Sequence, residues 1–239
     1  MGETVRRSWL LIPASNSELI AQAAQSGADA VVLDLVELVA EKDKHAARAS
    51  IQAAIYTVSA GGADVFVQID PDFLHIDLQA CVWPGLSGIV ISRAESAQQI
   101  DEAAALLSRL EKVRGVLPDS LKIIAALETA RGNHAAYEIA GASPRIAGLT
   151  LGRADLIMDL RPEPSGELHL LPYLMQRVVI IAGAAGVTPI GAWWRAPDRG
   201  LLATPDHTYQ AAQRGRAIGF KGAMCLRANQ VASLNRAFG

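Results

Sequence analysis

Short apolar runs alternate with longer segments of helical periodicity along the chain. The runs are rich in Val, Ile, Leu and Ala and lie at residues 9–12, 30–35, 65–69, 88–91, 123–127, 146–151, 187–190 and 222–226. Continuous apolar runs of this length are typical of parallel strands that are buried on both faces. Helices are predicted between them, the first two beginning near Ser17 and Glu41. This alternation predicts an α/β fold with a parallel sheet.

Eight strand–helix units fit a closed (β/α)8 barrel, the TIM barrel. That fold typically takes about 250 residues, and this chain has 239. An open doubly wound sheet is the alternative, but it usually carries a Gly-rich phosphate turn after its first strand. Here the first run is followed by Pro-Ala-Ser-Asn at 13–16. No segment has the composition of an interdomain linker, so we predict that residues 1–239 form a single barrel domain.

Composition and charge exclude several classes of protein. The net charge is -2, so the chain lacks the basic character expected of a nucleic-acid-binding domain. No apolar run approaches the ~18 residues of a membrane span. The run that follows Arg6 and Arg7 stops at Pro13, which is too short for the ~7–15 apolar residues of a signal peptide. The two cysteines, Cys81 and Cys225, have apolar neighbours and no Cys-x-x-Cys spacing, as is typical of reduced thiols in a cytoplasmic protein.

Polar side chains follow the predicted strands at their carboxyl ends, where a (β/α)8 barrel carries its active site. In chain order they are Asp34, Glu37, Gln68, Asp70, Arg93, Glu128, Asp155 and Arg227. Charged groups that converge on one rim are costly to bury without partners or a ligand. We therefore predict a functional site at this rim. For any one of these residues, a structural ion pair is the alternative.

Glu128 and Asp155 follow the consecutive fifth and sixth strands and are candidate ligands of one hard cation. Mg²⁺ usually takes one or two protein carboxylates and keeps positions for water and substrate. A metal held there can chelate a 2-oxo acid or an acyl carbonyl and stabilise the enolate that forms when a neighbouring carbon–carbon bond breaks. The five histidines lack metal-ligand spacing, and the Gly-x-Ser-x-Gly motif of one hydrolase class is absent.

Several segments of the chain are distinctive as motifs. They read Arg-Ser-Trp-Leu-Leu-Ile-Pro-Ala-Ser-Asn at 7–16, Gly-Ala-Asp-Ala-Val-Val-Leu-Asp-Leu at 27–35, Leu-Glu-Thr-Ala-Arg-Gly at 127–132, Ala-Ser-Pro-Arg at 142–145, Leu-Gly-Arg-Ala-Asp-Leu at 151–156 and Gly-Phe-Lys-Gly at 219–222. Together they resemble the HpcH/HpaI aldolase and citrate lyase β-subunit family over nearly the whole chain. The pair at 127–132 and 151–156 is the most specific part of the resemblance.

The resemblance implies a (β/α)8 barrel that binds Mg²⁺ and is commonly trimeric or a multiple of three. It also implies cleavage or formation of carbon–carbon bonds in 2-oxo acids or in thioesters of the citryl-CoA and malyl-CoA type. The family's two metal carboxylates fall on Glu128 and Asp155, and both are present here.

Other positions depart from the family's pattern. The segment that usually reads Asp-Leu-Glu-Asp is Asp-Leu-Val-Glu at 34–37, and the usual substrate-gripping Arg after the third strand is Gln68. The usual Lys after the fourth strand is Arg93, and the usual His after the eighth is Arg227. Gln is uncharged and lacks the planar fork of Arg. We therefore expect Arg93 or Arg227 to bind the substrate anion, and Arg93 to pair with Asp34 when no substrate is bound.

The sequence thus predicts a Mg²⁺-dependent carbon–carbon lyase that acts on a small organic acid or an acyl-CoA substrate. The site residues follow: catalytic Asp34, Glu37 and Arg93; substrate-binding Gln68, Arg93 and Arg227; metal-binding Glu128 and Asp155. The chain is expected to be a homo-oligomer, a trimer or a multiple of three, without nucleic-acid or membrane partners. A non-catalytic or regulatory barrel of the same family is the alternative. A phosphate-binding isomerase is disfavoured because Gly-Ala-Trp-Trp at 191–194 is not a Gly-rich cradle.

Overall fold

The computed structural model describes residues 5–152, 160, 164–192 and 204–239. The strands in these ranges are parallel and pair in chain order, and the first strand also pairs with the last, so that the sheet closes into a barrel. They are β1 Ser8–Pro13, β2 Ala30–Asp34, β3 Asp64–Ile69, β4 Gly88–Ile91, β5 Lys122–Leu127, β6 Ile146–Leu151, β7 Thr188–Ala192 and β8 Gly222–Cys225. The predicted (β/α)8 barrel is confirmed, and every strand overlaps its predicted run.

Helices follow the strands on the outside of the barrel. They are α1 Ser17–Ala24, α2 Lys44–Ala60, α3 Leu74–Cys81, α4 Ala97–Arg114, α5 Ala130–His134, α6 Ala136–Gly141, α7 Pro164–Ala185, α8 Pro205–Ile218 and α9 Ala228–Phe238. The predicted start of α1 at Ser17 is confirmed, because the side chain of Asn16 caps it by accepting from the N–H of Leu19. The second helix begins as a 3-10 turn at Glu41–Asp43 before the α-helix starts at Lys44.

Alternate residues of each strand face opposite sides of the sheet, as the two-residue period of a strand requires. One set packs against the helices, and the other fills the barrel interior with Trp9, Leu11, Ala30, Val32, Phe66, Val90, Ile124, Ala126, Ile190 and Met224. The rings of Trp9 and Phe66 are 4.8 Å apart between centroids. Gly88 makes room for this pair, since a Cβ there would lie 2.7 Å from the Phe66 ring. The interior is thus packed with side chains below the carboxyl ends of the strands.

Arg145 belongs to the 142–145 segment and lies at the opposite end of the barrel from the predicted site. Its guanidinium donates to both carboxylate oxygens of Glu111 at 2.8 and 2.7 Å and to the backbone oxygen of Leu121 at 3.0 Å. Burial by itself would raise the pKa of Glu111, but hydrogen bonds from Arg145 and from the N–H groups of Leu121 and Asp119 outweigh it and lower that pKa. The pair ties α4 to the amino ends of β5 and β6.

The structure also bears on the two cysteines and on membrane-spanning segments. Cys81 and Cys225 are free thiols in the core. Burial raises the pKa of both, that of Cys225 to about 12, so each is held as the neutral thiol. Among the described residues, no helix combines the length and the hydropathy needed to cross a membrane.

Candidate active site at the carboxyl ends of the strands

A pocket lies inside the barrel at the carboxyl ends of the strands. Its polar lining in the described residues is Glu37, Gln68, Glu128 and Thr150, and its other lining residues are Leu11, Val90, Ala126, Leu151, Gly152 and Met224. Three residues that the sequence marked, Glu37, Gln68 and Glu128, therefore meet in one pocket although 91 positions separate the first from the last. Strands β2, β3 and β5 bring them together.

Glu128 follows β5 directly and is only 7% exposed. Its Oε2 accepts a hydrogen bond of 2.8 Å from the backbone N–H of Arg93, after β4. On the other side, a Cβ on Gly152 would lie 2.1 Å from the Glu128 Cγ. The φ of Gly152 is not in the left-handed region, so this contact, rather than backbone conformation, requires glycine. Residues that follow β4 and β6, the strands on either side of β5, thus fix the position of the Glu128 carboxylate.

The residues after Glu128 fix the turn that carries it. The hydroxyl of Thr129 caps α5 by accepting from the N–H of Gly132 at 3.0 Å. A Cβ on Gly132 would lie 2.2 Å from the backbone oxygen of Ala94, so α5 approaches the segment after β4 closely. The motif at 127–132 is explained by these contacts, which leave Glu128 pointing into the pocket.

Arg93 occupies an unusual position on the rim. Its φ of 44° is in the left-handed region, which residues with a Cβ rarely adopt. Its guanidinium donates to Asp70 at 2.6 Å and to Asp72 at 3.1 Å. The predicted pairing of Arg93 with Asp34 is therefore wrong, because the side chain extends over the end of β3. Arg93 also does not appear among the described residues that line the pocket.

Asp34, at the end of β2, is fully buried. Its carboxylate accepts hydrogen bonds from the backbone N–H of Val36, at 3.0 Å, and of Leu38. Burial raises the pKa of Asp34, and these hydrogen bonds oppose that rise only in part. The bonds fold the chain back onto Asp34 and place Glu37, which lies between the two donors, on the pocket wall. Asp34 itself does not line the pocket in the described part of the chain.

The rim is also tied to the helix layer behind it. Asp77 of α3 is fully buried and accepts from the Nε of Arg48 at 2.6 Å and from the N–H of Asp70 at 3.2 Å. Asp70 in turn accepts from Arg93, whose backbone holds Glu128. Arg48 and Asp77 were not among the residues predicted from the sequence. The available signal was an acidic residue on the otherwise apolar buried face of α3, which includes Leu78.

Thr150 is a further residue that was not predicted from the sequence. It lies on β6, two residues before Gly152, and lines the pocket. The available signal was a residue with a hydroxyl in an otherwise apolar strand. It lies two positions before Gly152, and residues two apart on a strand face the same side, here the barrel interior.

Arg227 and Asp155 are the remaining predicted residues. Arg227 is exposed just before α9, where the side chain of Gln230 accepts from its N–H at 3.1 Å, and it is not among the described lining residues. Asp155, Trp193 and Trp194 lie outside the described residues.

The donor groups of the pocket fit a hard cation. Glu37 and Glu128 place two carboxylates in its wall, and carboxylate oxygens are the protein ligands that Mg²⁺ prefers. Within the described ranges there is no group of three or more His, Cys, Asp and Glu residues that could hold a metal ion. A site in which Glu128 is one of only two carboxylate ligands, with water and substrate as the others, does not need such a group.

Comparisons with known proteins agree on one family. The family model described as HpcH/HpaI aldolase/citrate lyase matches residues 7–228. The citrate lyase subunit beta of Leuconostoc mesenteroides subsp. cremoris is 27% identical over 99% of this chain and 78% of its own length. The (3S)-malyl-CoA thioesterase of Cereibacter sphaeroides strain ATCC 17029 is 29% identical over 97% of this chain and 76% of its own.

A solved structure extends the likeness to three dimensions. The citrate lyase beta subunit from M. tuberculosis, complexed with oxaloacetate and magnesium, superposes with a TM-score of 0.75. The two chains are 25% identical, and the match covers 98% of this chain and 97% of the other.

Proposed function

Since the chain belongs to the HpcH/HpaI aldolase/citrate lyase family, we propose that it is a Mg²⁺-dependent carbon–carbon lyase acting on a 2-oxo acid or an acyl-CoA-type substrate. The observation that carries the proposal is Glu128, a buried carboxylate held from two strands inside a pocket that contains a second carboxylate. A solved relative that contains oxaloacetate and magnesium supports the same chemistry.

Glu128 is proposed as one metal ligand and Asp155, three residues beyond Gly152, as the other. When bound, Mg²⁺ would supply positive charge that stabilises the negative charge developing on the substrate's carbonyl oxygen. Gly152 and the N–H of Arg93 keep the Glu128 carboxylate in position for this role. Arg93 is thus a positioning residue in this proposal, acting through its backbone.

Glu37 is proposed as the acid–base group, because its carboxylate lines the same pocket and can hold or release a proton there. Asp34 is proposed to act through Glu37, since its hydrogen bonds to Val36 and Leu38 set the conformation of the loop. Gln68 is proposed to contact the substrate directly, because it lines the pocket and its carboxamide can donate and accept hydrogen bonds.

Calorimetric titration of Mg²⁺ tests the metal site. We expect wild type to bind one ion, and Glu128→Gln to weaken binding by more than the roughly 10–100-fold typical of changes to groups that only support a ligand. Glu102→Gln, on the exposed face of α4, is the matched control and should bind like wild type. Equal binding by wild type and Glu128→Gln, or no binding by wild type, would contradict the proposal.

Turnover tests the reaction. Aldol products of 2-oxo acids, together with citryl-CoA and malyl-CoA, are incubated with and without Mg²⁺, and products are separated by mass. Carbon–carbon cleavage leaves CoA attached to one fragment, whereas thioester hydrolysis releases a free CoA thiol. We expect Mg²⁺-dependent cleavage that Glu128→Gln abolishes. Release of CoA without cleavage would instead indicate the activity for which the Cereibacter relative is named.

A non-catalytic barrel that binds a metal or a small organic acid is the second candidate. The observation that favours it is the absence of Lys and Arg from the pocket lining in the described residues, with Arg93 held by Asp70 and Asp72. Binding of Mg²⁺ and a 2-oxo acid without turnover of any substrate in the panel would support this candidate over the lyase.

A further inference from the structure

Thr150 is a buried polar residue of the pocket. The proposed metal binding and proton transfer give it no role. It is 3% exposed. Its hydroxyl is buried and has no hydrogen-bond partner among the residues that the structure describes. A buried hydroxyl without a partner destabilises the fold, because it has given up its hydrogen bonds to water.

The neighbours of Thr150 explain why the barrel itself offers it no partner. Gly148, two residues earlier on β6, faces the interior side chains of Ile124 and Ile190, since a Cβ there would lie 3.1 Å from each. Thr150 points to the same side, one step closer to the pocket mouth. In the sheet it pairs with Ala126 of β5 and Ile190 of β7. Neither neighbouring side chain can donate or accept a hydrogen bond.

The charge of the pocket restricts what could pair with this hydroxyl. In the described lining, the charged residues are Glu37 and Glu128, and no Lys or Arg is present. A substrate carboxylate placed away from the metal would therefore meet acidic groups and no Lys or Arg of the described lining, which is unfavourable. An uncharged group can instead share hydrogen bonds with the Thr150 hydroxyl and the Gln68 carboxamide.

We propose that Thr150 is a specificity-determining residue that binds the end of the substrate pointing away from the metal, and that this end is an uncharged hydrogen-bonding group. A hydroxyl, carbonyl or amide belongs to that class, and a second carboxylate does not. The inference rests on the proposed function, in which the 2-oxo acid end of the substrate meets Mg²⁺. It adds to that function a preference between substrates that share this end.

A matched pair of ligands tests the preference. Oxaloacetate and 2-oxosuccinamate have the same 2-oxo acid end and differ in a terminal carboxylate against a carboxamide. We expect calorimetry with the Mg²⁺-loaded protein to show tighter binding of the amide. Thr150→Val replaces the hydroxyl by a methyl of the same shape, so it should weaken amide binding by about three- to tenfold, the loss of one neutral hydrogen bond.

Thermal unfolding without ligand separates this role from a structural one. Thr150→Val should melt at the same temperature as wild type or higher, because it removes an unpaired buried hydroxyl. Thr208→Val is the matched control: Thr208 is also buried, but its hydroxyl accepts from Gln230 at 3.0 Å and it lies outside the described pocket lining. This variant should melt lower and bind both ligands as wild type does.

The possible failures are distinguishable. Binding of oxaloacetate at least as tight as that of the amide would overturn the inference while leaving the proposed function intact. The same holds if Thr150→Val binds both ligands like wild type, or if it melts lower than wild type. Failure of both 2-oxo acids to bind the Mg²⁺-loaded protein would contradict the proposed function and the inference together.

Discussion

Asp34 and Glu37 show how residues of one type, three positions apart, acquire different environments. Both are acidic; Asp34 is the last residue of β2 and Glu37 follows it. Asp34 is fully buried and its carboxylate holds two backbone N–H groups, whereas Glu37 lines the pocket. Short acidic side chains readily accept hydrogen bonds from the backbone that follows them. Their positions at and after the end of the second strand made both residues candidates in the sequence. The turn that follows Asp34 then buries its carboxylate and leaves Glu37 on the pocket wall.

Gly152 supports a prediction at the residue scale. Gly152→Ala would place a methyl 2.1 Å from the Glu128 Cγ, so the carboxylate must move or the end of β6 must shift. Because the variant changes a group that only supports a proposed ligand, we expect Mg²⁺ affinity to fall by about 10–100-fold. Calorimetric titration of Mg²⁺ measures this effect.

Gly183→Ala is the control for this substitution. A Cβ at Gly183, in α7, meets nothing within 4 Å, so Mg²⁺ binding should be unchanged. The variant should gain up to about 1 kcal/mol of stability because alanine is the better helix former. A Gly152→Ala protein that binds Mg²⁺ like Gly183→Ala would show that the close contact does not position Glu128.

At the scale of elements, the motif segments serve opposite ends of the barrel. The segment 127–132 positions Glu128 at the carboxyl end of β5. The segment 142–145 supplies Arg145, which pairs with Glu111 near the amino ends of β5 and β6. Contacts at both ends hold β5 against β6, and a shift between these strands would displace Glu128 from Gly152.

Arg145 supports a prediction about stability. Its side chain is 5% exposed and that of Glu111 is 1% exposed. Arg145→Met would leave the Glu111 charge buried without its cation, so we expect a loss of about 3–5 kcal/mol in the free energy of unfolding at neutral pH. Urea unfolding measures it. Arg109→Met, an exposed position on the same helix, should change stability by no more than about 0.5 kcal/mol.

The pair also predicts a pH dependence. The pKa of Glu111 is lowered in the folded protein by Arg145 and backbone N–H groups despite its burial. Its stabilising contribution is therefore fully present above the unfolded-state pKa, about 4.3, and is lost as the pH falls through the lower folded-state value. The stability difference between wild type and Arg145→Met should shrink from pH 7 to pH 3. A difference that stays constant or widens would mean that Glu111 is not the group stabilised by Arg145.

At the scale of the whole molecule, closure of the barrel creates the site. Glu37, Gln68, Glu128 and Thr150 come from four parts of the chain and meet because β1 pairs with β8 and the strands tilt around a common interior. The strand order separates Asp34, at the end of β2, from Arg93, after β4, because β3 lies between these two strands.

Assembly is a prediction for the whole molecule. Because of the family resemblance, we expect a homo-oligomer, and a trimer in preference to other multiples of three. Large apolar side chains stand exposed on α6 and α7, with Tyr137 at 63%, Tyr173 at 59% and Ile180 at 70%, and association would remove such surface from water. Light scattering at micromolar concentration should give three times the chain mass of 25.3 kDa. A mass of one chain at that concentration would contradict the prediction.

The sequence by itself determined the fold and predicted the rim of the barrel at which the pocket lies. Eight apolar runs predicted the strands because residues buried on both faces of a sheet must be apolar along their whole length. The polar residues that follow those runs marked the carboxyl rim, where the described pocket lies, and Glu128 and Asp155 were predicted there as metal ligands. Local periodicity carries this information, since strand direction and side-chain alternation follow from the backbone alone.

Only the tertiary structure decided which rim residues face the pocket. Arg93 adopts a left-handed backbone conformation and extends towards Asp70 and Asp72, and no pattern in the sequence predicts either feature. Thr150 was missed because one hydroxyl in an apolar strand looks like a tolerated core residue until its surroundings are known. Partners of buried polar groups are set by contacts between distant segments, and such contacts exist only once the barrel has closed.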